Sequence, residues 1–417
     1  MHEKLNEKLC AFLADEQFFS DVPGLAMAAG CADGTPWVPA KSEEVSSRAK
    51  TYAGKLKDFR FSGAAGCADI STGEKLTENH LFHMVSISKL FTSTAIMMLA
   101  CDGKLSIDDK LETLLESEQL QGETLIADKR YKDITIRNLL THTSGIGDLD
   151  DYGWDRPRWD EGALRDYVFS EEVRGKKLLW SPLENRFAYS NIAYEILGYV
   201  VEKVSGMPYE EFISQRIFAL AGMDSASMLT FDRIDDLSGG REGKDEAHIS
   251  FLSDFISGAH TSDKFKESVL ERLRKSGFAM PHIKDTANRI VCSQLFPYNR
   301  MHAPSSTLTC RPADLVKWAQ AHLHRQVFAP SVYEELWHAQ ADIPGTPEHL
   351  GLGWFVRRRG GFTFYGHEGT DIGYRAAFWI CPELMLYVII CSNITTAPMK
   401  NLTRKATDII LDYAKQQ

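Results

Sequence analysis

No stretch of this sequence is apolar for long enough to cross a membrane. The uninterrupted apolar segments at Ala95–Cys101 and Met385–Cys391 fall far short of the about 20 residues a spanning helix needs. The amino terminus, MHEKLNEKLCAFLADEQFF, scatters charges among its apolar residues. It lacks the basic start, apolar stretch and small-residue cleavage site of an export signal, so a cytoplasmic setting is expected. Positive charge is in deficit: 47 Lys+Arg against 57 Asp+Glu leave a net charge of −10. That balance argues against nucleic acid or an anionic membrane as the main partner. The eight cysteines form no C-x-x-C pair and no zinc-type spacing beside histidines, so reduced, mostly buried thiols are expected, with no metal and no cofactor. A G-x-S-x-G elbow, a Walker A loop and an H-E-x-x-H helix are also missing. There is no internal repeat and no low-complexity tract. With 44% hydrophobic and 25% charged residues, the composition is that of a globular enzyme and excludes global disorder.

At roughly 150 residues per domain, 417 residues allow two or three domains, or one large two-lobed unit. Leu5, Leu9, Phe12 and Leu13 recur at helical spacing. Val22 to Cys31 and Phe59 to Ile70 read as strands, separated by a polar, turn-rich excursion over 35–57. The middle reads as mostly helical. Ser86 to Cys101 is strongly apolar and stops at Gly103, and Asn191 to Ser205 places Ile192, Ile196, Val200 and Val204 in steps of four before Gly206. Strands return at the end. Gly351 to Arg359 and Phe362 to Tyr365 flank Gly360-Gly361, a hairpin signal. Tyr374 to Ile380, Met385 to Cys391 and a closing helix within Ile394 to Ala414 follow. The expected fold class is α+β: a mostly antiparallel sheet built from both chain ends and flanked by helices, with an inserted mainly helical lobe. Residues 1–83 and 305–417 would carry the sheet and 84–304 the helical lobe, in which the charge-dense 231–300 reads as an insertion.

Three short constellations carry chemistry. Ser86-Ile87-Ser88-Lys89 at a helix start sets Ser and Lys one turn apart on one face. A serine hydroxyl needs a neighbour to take its proton, and a lysine can do so once burial lowers its pKa. The helix N-terminus offers N–H groups to a developing oxyanion. A second S-x-x-K, Ser47 to Lys50, lies in the polar excursion and reads as solvated loop. Tyr189-Ser190-Asn191 precedes the next long helix. A tyrosine beside a lysine can shuttle protons, and Asn191 can orient a carbonyl or simply cap the helix. Gly366-His367-Glu368-Gly369-Thr370 ends a hairpin strand. There Gly369 permits close approach, the Thr370 N–H is a candidate oxyanion donor, and His367 is either site or structure. His349 heads a competing His-x-Gly. The Arg357–Arg359 run reads as a solvated rim.

Together, in this order and spacing, the three resemble the motifs of the serine β-lactamase and penicillin-binding-protein superfamily. The nearest branch is class C β-lactamase-like, with its family VIII esterases and D-aminopeptidases. HMVSISKLFTSTAIMMLACDGKLSIDD, ITIRNLLTHTSGI, WSPLENRFAYSNIAYEILGYVVEKVSGMPYEEFI, PSSTLTCRPADLVKWAQ, GLGWFV and GHEGTDIGYRA extend the resemblance over most of the chain outside 35–57 and 231–300. It implies Ser86 as acylated nucleophile, Lys89 in its activation, Tyr189 as general base and Asn191 as substrate orienter. It also implies an oxyanion hole from the N–H groups of Ser86 and Thr370. His367 stands where many penicillin-recognising members carry the Lys of Lys-Thr-Gly. A mostly neutral His is a poorer partner for a β-lactam carboxylate, which points toward esters or amides of little anionic character. The expected activity is that of a serine hydrolase on small esters, amides or peptides. A module that acylates with little turnover, or a true β-lactamase, is the alternative.

Overall fold

The computed structural model describes residues 2–40, 43–115, 124–149, 151–154, 158, 160–228 and 263–417. Helix α1 (Glu3–Phe19) buries Leu5, Leu9, Phe12 and Leu13, the four apolar positions at helical spacing. The chain then enters β1 (Gly24–Cys31), helix α2 (Ser47–Lys55), β2 (Arg60–Asp69), β3 (Glu74–Lys75) and β4 (Phe82–His83). Helices α3 (Ser88–Cys101), α4 (Ile136–Leu140), α5 (Asn191–Ser205) and α6 (Asp263–Lys275) occupy the middle. After them come β5 (His282–Lys284), β6 (Ile290–Cys292), α7 (Ala303–Ser306), β7 (Thr309–Cys310) and α8 (Pro312–Leu323). The chain closes through β8 (Ala341–Asp342), β9 (His349–Leu350), β10 (Phe355–Arg359), β11 (Phe362–Asp371), β12 (Tyr374–Cys381), β13 (Leu386–Ser392) and α9 (Met399–Gln416).

The main sheet runs β3-β2-β1-β13-β12-β11-β10-β9-β8, with every neighbour antiparallel. The two chain ends meet where β1 pairs with β13, from Leu25 opposite Ser392 to Cys31 opposite Leu386. Both faces of these strands are covered, which is why they read as continuous apolar runs. Leu25, Met27, Ala29, Leu386, Val388 and Ile390 pack into the cluster with Leu5 and Leu9 of α1 and Leu402 and Ile410 of α9. Ala26, Ala28, Tyr387, Ile389 and Cys391 face the other way, into the cluster with Leu90 and Phe91 of α3 and Trp318 of α8. Each such buried Leu or Ile stabilises by roughly 1.5–3 kcal/mol over its exposed state. The Gly360-Gly361 turn joins β10 to β11 with φ of 58° and 84°, a double left-handed turn that L side chains resist.

Two expectations need correction. The 35–57 excursion is not all loop: Ser46 caps α2 by accepting from the Ala49 N–H, and Ala49 and Tyr52 are buried. Tyr52 packs its ring 5.3 Å from that of Phe362. Only two of its nine positions face inward, too few for an apolar period to show. Ser47 and Lys50 remain exposed on its outer side. Residues 231–300 were expected to belong to a helical lobe. Residues 229–262 lie outside the described residues, but the rest of the segment is not purely helical. After α6 comes the β5–β6 hairpin, and the segment leading to it bonds to the sheet lobe through Met280 N to Ala68 O and Tyr374 Oη to Ala279 O. No helix among the described residues is long and apolar enough to cross a membrane.

Candidate active site

Ser86 sits in a single tight turn, Val85–Ile87, immediately before α3. Val85 holds φ at 52°, a left-handed conformation that a β-branched residue adopts only under strain. Ser88 fastens the turn: its hydroxyl donates to Val85 O at 2.7 Å and accepts from Leu308 N at 2.8 Å. One turn on, Lys89 is fully buried. Its Nζ donates to Ser86 Oγ at 3.3 Å, Asn191 Oδ1 at 2.6 Å and Ser305 O at 2.9 Å. Burial pulls the lysine down to about 8, and the carboxylates of Glu195, Asp148 and Asp371 oppose that fall.

Tyr189 hydrogen-bonds Ser86 through its hydroxyl, and burial pushes its pKa well above the usual phenol range. Its ring lies 4.4 Å from that of His142 and 5.0 Å from Lys89 Nζ. Ser190, not Asn191, caps α5, accepting from Ala193 N at 3.1 Å. This leaves the Asn191 amide free to bridge inward: its Oδ1 takes Lys89, and its Nδ2 donates to both Asp148 oxygens at 3.0 Å and to Tyr152.

The third segment is the edge of β11. Strand β10 covers β11 only as far as Gly366, so the following residues run uncovered past the Ser86 turn. A Cβ on Gly369 would come within 2.8 Å of Ser86 N and of Val85 Cβ. Thr370, Ser86, Tyr189, Asn191 and His367 line one cavity of about 370 Å³. His367 Nδ1 donates to Glu368 O at 2.6 Å, which leaves Nε2 buried and unpartnered. Burial, and then the nearby Lys89 charge, hold His367 down to about 3, so the ring is neutral. All seven positions singled out in the sequence therefore converge. The competing His349 lies elsewhere, paired with Asp342 at 2.7 Å.

Several contributors were not singled out. Asp148, Tyr152, Phe355 and Trp379 line the same cavity: the first two lie on an irregular segment without a motif, and the other two read as ordinary apolar strand positions. Arg357 is not a solvated rim: it is buried, lies 3.5 Å over the Trp379 ring and pairs with Glu368 at 3.0 Å. Lys400, at the same opening, pairs with Glu348 at 3.1 Å. His142, at φ 55°, accepts from Ser190 N at 3.1 Å and backs Tyr189. Glu195 did leave a signal: a lone carboxylate inside the apolar run of α5, one turn after Asn191, needs a partner. Fully buried, it accepts from Ser305 Oγ at 2.6 Å and contacts His302 Nδ1 at 3.1 Å. Ser305 thus links Glu195 to Lys89.

A profile of the Beta-lactamase family matches residues 57–411. The chain belongs to the beta-lactamase family. Among its relatives, Penicillin-binding protein 4* of Bacillus subtilis (strain 168) is 33% identical over 188 residues, covering 43% of this chain and 38% of the relative. Putative penicillin-binding protein PbpX of the same organism is 25% identical over 374 residues, 85% of this chain and 77% of the relative. Esterase EstB of Burkholderia gladioli is 31% identical over 169 residues, 38% and 41% of the two chains. Against Penicillin-binding protein 4* and EstB, then, the match spans about two fifths of the relative's length. Among solved structures, an octameric penicillin-binding protein homologue from Pyrococcus abyssi superposes with a TM-score of 0.71 at 22% identity, covering 97% of this chain and 77% of the other. D-amino acid amidase from Ochrobactrum anthropi SV3 gives 0.67 at 19% identity with both chains fully covered. These beta-lactamase and penicillin-binding-protein folds have the α+β architecture described above. The family is one of serine hydrolases whose relatives include an esterase and penicillin-binding proteins.

Proposed function

We propose that this family member is a metal-independent serine hydrolase that forms an acyl-enzyme on Ser86 with small, weakly anionic esters, amides or peptides. The observation that carries the reading is the meeting of Ser86 with the fully buried Lys89 Nζ at 3.3 Å and with the Tyr189 hydroxyl. With Tyr189 held as a phenol at neutral pH, Lys89 is the group with an accessible unprotonated state, roughly a tenth of molecules at pH 7 for a value of about 8. Neutral Lys89 would take the Ser86 proton as Oγ attacks the acyl carbon. The Tyr189 hydroxyl would hand a proton to the leaving group and regain one from Lys89; in deacylation it would orient the water whose proton neutral Lys89 takes and then returns to Ser86 Oγ. The N–H groups of Ser86 and Thr370 would receive the oxyanion, and Asn191 would hold the acyl side.

Substrate class follows from charge. His367 offers a neutral nitrogen where a fixed cation would receive a carboxylate, while Arg357 and Lys400 are paired with Glu368 and Glu348. Short p-nitrophenyl esters and amino acid amides should therefore outpace a chromogenic cephalosporin in kcat/KM. The test is that panel run with a fluorophosphonate label and a Ser86→Ala control. Stoichiometric labelling of Ser86 and loss of turnover in the variant are expected. Labelling that survives Ser86→Ala refutes the assignment.

A further inference from the structure

At the far end of β2, away from the Ser86 cavity, three side chains of metal-ligating type converge. His282 and Cys292 lie directly opposite each other in the β5–β6 hairpin, and directly opposed residues share a face of the ladder. Asp69, the last residue of β2, is fully buried beside them. One donor atom from each of the three lies within 4.8 Å of the other two. Nine residues of hairpin separate His282 from Cys292, so the sequence shows no zinc-type spacing.

Hydrogen bonds fix the tautomer and the position of the donors. His282 Nδ1 faces the Asn393 carbonyl oxygen at 3.0 Å and Nε2 faces the Ile70 N–H at 3.3 Å, which places the ring proton on Nδ1 and the lone pair on Nε2. A backbone carbonyl that fixes the tautomer in this way is the usual outer partner of a ligating histidine. Arg274 Nε holds Asp69 Oδ2 at 2.7 Å, and Ser71 N and Oγ hold Oδ1 at 2.8 and 2.5 Å. The Cys292 thiol donates to that same Oδ1 at 3.2 Å.

We propose that Asp69, His282 and Cys292 form a binding site for a borderline-soft divalent cation of the zinc type. The cation takes the place of the thiol proton between Cys292 Sγ and Asp69 Oδ1. Three bonds form, to Sγ, Nε2 and Oδ1, and the Ile70 N–H gives up its hydrogen bond to Nε2. The Cys292 S–H bond breaks and its proton leaves to solvent, so the site holds a thiolate, a carboxylate and a neutral imidazole. Bonds of about 2.0–2.3 Å set tetrahedral ligand atoms roughly 3.3–3.7 Å apart, so the separations need shrink by about 1.5 Å at most. Cys292 is only half-buried, which leaves a way in and a fourth position for water. Because its ligands come from β2 and from both strands of the hairpin, the ion would pin the hairpin to the end of β2. The site is independent of acylation at Ser86.

The experiment uses the full chain, stripped with a chelator and titrated with Co2+ and then Zn2+. One equivalent of Co2+ should give a thiolate-to-cobalt charge-transfer band that Zn2+ displaces. Cys292→Ser should abolish the band, while Cys67→Ser should keep it. On the unmodified chain, Zn2+ should slow iodoacetamide alkylation of Cys292 at least about tenfold and leave the exposed Cys10 and Cys101 unaffected, read by peptide mass spectrometry. No band, a band that persists in Cys292→Ser, or equal alkylation of Cys292 with and without Zn2+ overturns the proposal.

Discussion

Replacing Gly369 by alanine should disable the site without unfolding the protein. A Cβ there would meet Ser86 N at 2.8 Å, Val85 Cβ at 2.8 Å and Met84 O at 3.0 Å. None of these is the free end of a flexible side chain: two are backbone atoms, and the third belongs to a residue already held at φ 52°. Ordinary carbon contacts begin at about 3.5 Å, so β11 and the Ser86 turn must separate by roughly 0.5–0.7 Å. That exceeds the about 0.5 Å within which a catalytic constellation keeps its geometry. Loss of one oxyanion donor costs about 10²–10³ in kcat, so kcat on a p-nitrophenyl ester should fall by about two orders of magnitude. Overpacking of this kind costs about 1–3 kcal/mol of stability, to be read by thermal or urea unfolding. Gly54→Ala in α2 is the control. It has open space around the new methyl and sits inside a helix, so stability should rise by about 0.5–1 kcal/mol with activity unchanged. If Gly369→Ala keeps near-wild-type kcat, then the close approach of β11 to Ser86 does not build the site.

Tyr189→Phe keeps the ring against His142 but removes the hydroxyl at Ser86, so ester turnover should fall about 10²-fold or more. Intact mass should then show an acyl adduct on Ser86 that builds up relative to wild type; hydrolysis at the wild-type rate would reduce Tyr189 to a packing residue. The pH profile tests Lys89. Protonated Lys89 has no lone pair for the Ser86 proton, so kcat/KM should climb with pH and level off above a midpoint near 8. Glu195, Asp148 and Asp371 hold that midpoint up, so Glu195→Gln should move it down. An unmoved midpoint would mean that the Glu195 charge does not act on Lys89. The same group has a stability signature. Its folded value lies below the about 10.4 of an unfolded lysine, so the unfolded chain binds the extra proton between about 8 and 10.4, and this group's contribution to stability rises with pH across that window.

Local pattern alone determined a good deal here. Asn191–Ser205 was bounded as read, since its steps of four and its stop at Gly206 are properties of a few contiguous residues. The β10–β11 hairpin followed from a Gly-Gly pair whose conformation few other residues adopt. Ser86 and Lys89 stood out as a pair one helical turn apart, whereas Tyr189 and His367 gained their roles only from the order and spacing in which the three motifs resemble the family's. Helix α2 was missed because only Ala49 and Tyr52 face inward, leaving no period to read. Arg357 was misjudged because a charged residue looks solvated until the Trp379 ring and the Glu368 carboxylate are brought onto it from other strands. The same holds for Asp148, for the Glu195–Ser305–Lys89 linkage and for the Asp69–His282–Cys292 cluster. Each depends on segments far apart in the chain meeting at distances near 3 Å. Periodicity and motif spacing record what neighbouring residues do to one another, whereas burial, tautomer and pKa depend on partners that only the closed sheet and the helices packed on it supply.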